Sequence, residues 1–443
     1  MKNVSYVIYI NADIKNRTPL HIGNGGEDIL TFEDFDNGKY KVNAYMPATG
    51  IAGAFRAYLS SINGEEKADE IFGSSSGKVS KLTLYDAYSA ANSMEFRPGV
   101  CIEGETGAAK QSSKFSRNFL ADGHRFTLKF KIAGRDKQEA EETKDLLYEC
   151  LKAVNFGVIN FGAYKTSGAG LFNLESVKEC RYDLKNIDEL MKYLKNQYSY
   201  IDVTKGIKDK NVSSDYVLFK FKGRLTEPIL IKNNDSLDYN EPDGANIKSG
   251  KNCIIPGSSL KGIIRARAER VLNYLGKDKL NDLIFGTAEG DEKKIAGRVY
   301  TEDVVIKGAD KKRAKYHKIK IDKFTGGTIN SNLMDEEPVM GDIEFSLKFK
   351  KFMCNEENYN NAAIGLLIYV LRDMATENLN VGSGYSIGRG LMQGEHIEIR
   401  DGDKHFDIDI ANKKITSALN AENAAKEIEC YIKALNDLKM NNR

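Results

Sequence analysis
The chain has 443 residues, 41% hydrophobic and 29% charged, with 65 Lys and Arg against 63 Asp and Glu. That length suggests two or three domains with ordinary cores. A net charge of +2 excludes a general polycation, so a nucleic-acid surface requires local segregation of charge. The six cysteines (101, 150, 180, 253, 354 and 430) show no CxxC spacing and no nearby His in a ligand pattern. This argues against a zinc motif or a disulfide framework and fits a reducing cytosol. The N-terminal apolar run is too short for a signal peptide, and none approaches the ~20 apolar residues of a membrane span, so no membrane partner is expected.

Residues 4–14 read as a strand, 18–28 as a turn-rich loop, and 29–46 as an acidic and aromatic stretch around an Asn-Gly turn at 37–38. In YMPATGIAGAFRAYLSSI (45–62), Ile51, Phe55, Tyr58, Leu59 and Ile62 fall on one helical face. There follow a strand-like LTLYDAY (82–88), a polar excursion (101–123), an alternating strand RFTLKFKI, a helix pattern (139–155) and a Gly-rich loop FGAYKTSGAGLF (161–172). Residues 179–215, charged and rich in Tyr and Asn with one short helix pattern (186–195), read as a linker.

The sequence of features then starts again. IIPGSSLKGIIRARAERVLNYL (254–275) reads as a strand end, a tight turn and an amphipathic helix. After it come VYTEDVVI (299–306), a second polar excursion (317–341), the strand IEFSLKFK, a helix pattern (360–376) and VGSGYSIGRGLM (381–392). A tail (399–443) carries a helix near 417–439. Pro47, Gly53 and Arg56 share their spacing with Pro256, Gly262 and Arg265; Pro19 and Pro228 each stand 28 residues upstream of those prolines. IFG occurs at 71–73 and 284–286, and Gly162, Gly168 and Gly170 are spaced like Gly382, Gly388 and Gly390. A repeat of about 209 residues is too long for a solenoid and means two homologous domains. Strand, helix, strand, strand, helix, strand in each half predicts an α+β chain of two tandem ferredoxin-like (βαββαβ) domains, a fold that serves many functions.

The helix start at 256–259 suits a phosphate. Backbone N–H groups, the helix dipole and the cations Lys261 and Arg265 add together there, with Ser258 or Ser259 as the cap. The first copy offers Thr49 and Arg56. The Gly-rich loops match neither GxGxxG nor a P-loop. They supply backbone able to approach a phosphodiester: Gly162, Lys165 and Gly168 in one, Gly382, Gly384, Tyr385, Gly388 and Arg389 in the other. The bland alternative is a pair of glycine hairpins. The basic run 307–323, with Lys318 and Lys323 followed by Phe324, suits single-stranded nucleic acid by phosphate pairing and base stacking, or else is a solvated hairpin. His21 has no counterpart, since Leu230 takes the matching place, and reads as a loop residue rather than a base. Asp243 lies 13 residues ahead of Pro256 and Asp34 lies 13 ahead of Pro47, with Asp28 a rival. A carboxylate there could hold Mg2+ or steer a 2′-OH, or be a solvated loop Asp.

IIPGSSLKGIIRARAE, then IFG and GSGYSIGRG, resembles the RAMP superfamily (repeat-associated mysterious proteins), in particular the backbone subunits of type III CRISPR effector complexes. HIG, MPATGIAGAFR, IFG and FGAYKTSGAG form a degenerate first copy, with Ala48, Thr49 and Ala52 where Gly257, Ser258 and Lys261 stand. The likeness covers most of 4–178 and 216–398. It implies two RAMP domains, 1–178 with an inserted thumb hairpin at 101–123 and 216–398 with one at 316–341. Turn and Gly-rich loop would hold guide (CRISPR) RNA, and the thumb would kink the guide–target duplex. A loop aspartate beside it would support endonucleolytic cleavage of target RNA with Mg2+ or another divalent cation. Asp243 matches that position, and Asp28 and Asp34 fit loosely. The implied partners are guide RNA, target RNA, other RAMP subunits and the large signalling and small subunits, in a prokaryotic cytoplasm. Two alternatives stay open: a non-catalytic guide-RNA scaffold in one or both halves, and a metal-independent repeat-RNA processing endoribonuclease using His21.

Overall fold
The computed structural model describes residues 4–23, 28–36, 39–74, 77–103, 108–208, 215–233, 242–287, 294–309, 315–329, 333–352, 356–417 and 423–439, with the side chains of 34–36, 39–40 and 233 left out. The chain divides into two compact units, Met1–Arg97 with Ser116–Lys165 and Ala169–Ser214, and Pro98–Phe115 with Thr166–Gly168 and Asp215–Arg443. Among the described residues no helix is long and apolar enough to cross a membrane.

The first half runs β1 (Tyr6–Asn16), β2 (Thr31–Asp36), β3 (Lys39–Met46), α1 (Ala48–Asn63), α2 (Glu65–Phe72), β4 (Leu82–Leu84), β5 (Ala87–Ala90), β6 (Met94–Ile102), β7 (Ala109–Leu120), β8 (Arg125–Gly134), α3 (Lys137–Asn155), β9 (Phe172–Asp183), α4 (Ile187–Leu194), β10 (Ile201–Asp202) and α5 (Thr204–Lys208). Its main sheet has the order β10-β9-β1-β8-β4, antiparallel throughout. With α1 after β1 and α3 after β8, this is the expected βαββαβ path. The alternation of β1 explains the layering: Ile8, Ile10, Ala12 and Ile14 are buried while Tyr9, Asn11, Asp13 and Lys15 are half-buried on the other face. The buried row packs under Ile51, Phe55 and Leu59 of α1 and Leu147, Leu151 and Val154 of α3. Burial of a side chain such as Phe55 contributes roughly 2–3 kcal/mol. The Asn-Gly turn at 37–38 lies outside the described residues, between the paired strands β2 and β3.

The second half runs β11 (Tyr216–Leu225), β12 (Lys232–Asn233), β13 (Gly244–Asn246), β14 (Lys248–Ser249), β15 (Asn252–Ile255), α6 (Gly257–Tyr274), α7 (Lys279–Phe285), β16 (Val299–Thr301), β17 (Val304–Val305), β18 (Tyr316–Lys318), β19 (Met334–Glu337), β20 (Asp342–Lys350), α8 (Glu357–Ala375), β21 (Met392–Asp401), β22 (Lys404–Asp409), β23 (Lys414–Ser417) and α9 (Ala424–Asp437). Its sheet order is β16-β20-β11-β21-β22-β23. The first four strands reproduce the topology of β4-β8-β1-β9, with α6 and α8 as the two helices.

Two boundaries differ from expectation. The stretch 179–215 is not a bare linker: β9 continues to Asp183, β10 pairs with β9, and Ile207 of α5 is buried. Its tyrosines cover the sheet face left open by α1 and α3. The Tyr193 and Tyr198 rings lie 6.4 and 5.3 Å from Tyr9, and Lys131 Nζ donates to Tyr193 Oη at 3.0 Å. A composition that resembles a linker therefore serves as an aromatic cover. Among the described residues the tail is helical only at 424–437; residues 399–417 extend the second sheet through the end of β21, β22 and β23. Helix α9 lies so close to α8 that a Cβ at Gly365 would collide with the Tyr431 carbonyl oxygen. Lys277 Nζ donates to the carbonyls of Leu435 and, at 2.7 Å, Asn436, at the negative end of α9.

The thumbs also take form. The first is the hairpin β6–β7, starting at Met94, ahead of the expected 101. The second pairs β18 with β19 inside a four-stranded sheet of order β12-β13-β19-β18.

Candidate functional site
Both helix starts are built alike. Pro47 and Pro256 occupy the N-cap positions, and neither cap has a side-chain hydrogen bond. Ser258 and Ser259 are not the cap, because α6 begins at Gly257 and places them inside its first turn, Ser258 exposed and Ser259 half-buried. A carboxylate from the strand-like segment after the helix pair does that work. Asp303 Oδ1 accepts from the Gly257 amide at 2.8 Å, and Asp86 Oδ1 accepts from the Ala48 amide at 2.7 Å. Each half has one Asp in this segment, a signal present in the repeat whose role only the fold shows. Thr49 is exposed in the first turn of α1.

The matching arginines make matching contacts. Arg56 pairs with Asp69 of α2 and donates to the Gly73 carbonyl at 2.7 Å; Arg265 reaches Asp282 of α7 at 3.3 Å. They tie consecutive helices together. Lys261 is different. Burial first, and then the charge of Arg265, pushes its ammonium down to about 8. A partly desolvated lysine on the first turn of a helix gains from an anion that restores its charge.

In the Gly-rich loops, a Cβ at Gly162 or Gly382 would collide with the carbonyl oxygen of His21 or Leu230, so both loops lie against the residues after Pro19 and Pro228. Gly384 and Gly388 bracket a single turn that exposes Tyr385 and Ile387. In the first loop Tyr164 adopts φ 56°, where Gly384 has φ 81°. Its ring is held 5.1 Å from His21, 5.8 Å from Phe119 and 4.4 Å from the Arg117 guanidinium. Burial lowers the pKa of Lys165, and Gly168 is buried at φ 92°. His21 is 3% exposed, its Nδ1 2.7 Å from the Asn118 carbonyl oxygen, so it is a packed residue.

Arg389, expected to face RNA, is instead 7% exposed. It donates to Glu336 at 2.7 Å and lies 5.2 Å over the Tyr316 ring. Glu336, on β19, also receives Lys318 at 2.5 Å and Lys232 at 3.0 Å. Burial would raise this carboxyl, but the hydrogen bonds from Lys318, Lys232 and Arg389 outweigh it and hold it at about 2. Three cations on one carboxylate join the Gly-rich loop, both thumb strands and β12, and leave a local excess of positive charge. Sequence reading placed Lys318 and Arg389 on RNA and missed Lys232 and Glu336, which lie far apart in the chain. Toward the tip, Asp322 accepts from the amides of Phe324 and Thr325, each at 2.8 Å, in a turn that leaves Phe324 98% exposed beside exposed Lys323.

The candidate carboxylates separate. Asp243 Oδ2 accepts from the amide of Asp335, on the thumb strand β19, at 2.9 Å. Asp28 Oδ1 accepts from Asn118 Nδ2, on the thumb strand β7, at 2.5 Å. Asp34 lies within β2, its backbone opposite Lys41, and not on a loop. Equal spacing ahead of Pro47 thus selects Asp34, whereas tethering to a thumb strand selects Asp28. Among the described residues no group of three or more His, Cys, Asp or Glu side chains is placed to hold a metal ion. Mg2+ commonly takes one or two carboxylates and completes its shell with water and substrate phosphate, and Asp243 fits it in that way only.

No curated protein matches the chain. One solved structure that matches is titled "Cryo-EM structure of the Type III-B Cmr-beta bound to cognate target RNA"; it is 22% identical, with a TM-score of 0.29, over 40% of this chain and 61% of that one. A family model described as the RAMP superfamily matches residues 13–173 and 224–393, one stretch in each half. The two stretches matched by the family model cover most of the chain, one over each repeated βαββαβ core, and show that the chain belongs to the RAMP superfamily.

Proposed function
We propose that this chain is a tandem backbone subunit of a type III CRISPR RNA-guided effector, working in the cytoplasm. It binds guide RNA through both halves and cleaves target RNA beside the second thumb. The observation that carries this reading is the twofold recurrence of one arrangement. In each half a loop carboxylate is tethered to a thumb strand, Asp243 to Asp335 and Asp28 to Asn118.

In this reading the first turn of α6, with Ser258, Ser259 and Lys261, and the exposed Gly384–Gly388 turn with Tyr385 take the guide backbone. Phe324 and Lys323 at the second thumb meet the kinked duplex. Sequence specificity lies in guide–target pairing, by analogy with other guided effectors. Cleavage is in-line attack of a 2′-OH on the adjacent phosphate, for which positioning supplies much of the rate. Asp243, with substrate oxygens, would hold a divalent cation, which when bound neutralises charge on the phosphate. Partners are guide RNA, target RNA, other RAMP subunits and the large signalling and small subunits of the complex.

The test is an effector reconstituted with guide RNA. Asp243→Ala should abolish one cleavage position while guide and target stay bound; Asp28→Ala should abolish another, and Asp34→Ala none. Unchanged cleavage in Asp243→Ala refutes the catalytic reading and leaves a scaffold.

A further inference from the structure
The residue that tethers Asp243 has a second partner. Asp335 stands opposite His317 in the antiparallel β18–β19 pair, and their side chains meet, His317 Nδ1 lying 2.7 Å from Asp335 Oδ1. On the other flank, β13 runs parallel to β19 with Gly244 opposite Glu336, and the Asp243 carboxylate one residue earlier takes the Asp335 amide at 2.9 Å. His317, Asp335 and Asp243 are therefore one row across three neighbouring backbone segments. Adjacent segments lie about 4.8 Å apart, so the outer two backbones are about 10 Å apart. Faces alternate along a strand. The next residue on the middle strand, Glu336, is buried with Arg389, while the His317 and Asp335 side chains are 63% and 41% exposed.

We propose that His317 is a general base for RNA cleavage at this row and that Asp335 positions it; this rests on the reading of Asp243 as the catalytic carboxylate. A carboxylate can only accept, so Asp335 fixes the proton on Nδ1 and leaves the lone pair on Nε2 of this 63% exposed side chain. The nearest cation along the strand on that side, Lys315, is paired with Glu337 at 3.3 Å. Ile319 and Leu333, exposed toward the thumb tip, offer apolar seats for the flanking bases. In the step, the 2′-OH proton moves to His317 Nε2 as the 2′-oxygen bonds phosphorus. The P–O5′ bond breaks, and the leaving 5′-oxygen takes a proton from water. The products are a 2′,3′-cyclic phosphate and a 5′-hydroxyl, and the imidazolium returns its proton to solvent.

The test uses the reconstituted effector under single-turnover conditions. A general base contributes roughly 10²–10⁴-fold. His317→Ala should therefore slow the cut assigned to Asp243 by at least about 100-fold, with guide and target binding unchanged, and added imidazole should restore part of the rate. Asp335→Asn should slow the same cut without imidazole rescue, and Asp335→Glu should recover most of it. Wild-type cleavage by His317→Ala while Asp243→Ala is inactive overturns this proposal and leaves the Asp243 reading standing. Slow cleavage with weakened target binding and no imidazole rescue makes His317 a binding residue and also overturns it. Wild-type cleavage by Asp243→Ala overturns both readings together.

Discussion
Replacing Glu336 with Gln removes the negative charge at a point where Lys318, Lys232 and Arg389 converge at 2.5, 3.0 and 2.7 Å. The native structure holds this carboxyl at about 2, against an ordinary 4.5. At 1.36 kcal/mol per pH unit the difference corresponds to about 3 kcal/mol. Lys232 and Lys318 are each 35% exposed, and screening there lowers the figure to about 2 kcal/mol. Mutual repulsion of the three cations adds to the loss, for an expected cost of about 2–3 kcal/mol. In a unit of about 150–250 residues that shifts Tm by roughly 4–12 °C. A two-unit chain need not melt in one step, so the sharper assay is hydrogen exchange in the 382–390 loop and in β18 and β19. The carboxyl is lowered in the native state, so its contribution is complete above the ordinary carboxylate range. It fades as pH falls through about 2, and Glu336→Gln should abolish that pH dependence. A coupling of about 1 kcal/mol or more between Glu336→Gln and Arg389→Met is also expected. Stability within about 0.5 kcal/mol of wild type, with unchanged exchange in the loop, would refute the idea that this cluster fixes the thumb to the Gly-rich loop.

Three more outcomes are expected. Asp303→Ala leaves the Gly257 amide without its acceptor and should cost about 0.5–2 kcal/mol in urea unfolding, with Asp303→Asn milder; no change would mean the contact is incidental. Lys261, held at about 8, should be acylated at pH 8 well ahead of exposed Lys323 and be protected by bound RNA, as mapped on peptides; equal labelling contradicts its desolvation. The native state disfavours its charged form, so its contribution to stability rises as pH climbs from about 8 toward the ordinary lysine value. Tyr164→Ala keeps a positive φ and loses the ring contacts, whereas Tyr164→Gly loses only the contacts. The Ala variant should be less stable by roughly 1–2 kcal/mol, and the reverse order would show that the backbone there carries no strain.

The duplication, the two ferredoxin-like cores and both helix starts were legible in the chain because they depend on local periodicity and on spacings shared by two copies. Apolar residues at helical and strand intervals set which face is buried wherever the partner sits, and PATG and PGSS mark helix starts by backbone chemistry alone. What each polar side chain meets is a long-range matter, and there the tertiary structure decided. Arg56, Arg265 and Arg389 look like RNA-facing cations in sequence, yet each meets a carboxylate, 13, 17 and 53 residues away. The tyrosines of 179–215 look like linker composition until the open face of the first sheet is built beneath them. Asp34 keeps its count ahead of Pro47, but the β2–β3 hairpin takes it into a strand, and Asp28 meets the thumb instead. Charge and spacing determined that this chain carries candidate phosphate-facing turns and loop carboxylates. Only strand register decided which of them stand together, because a pairing offset of one residue turns a side chain to the opposite face of the sheet.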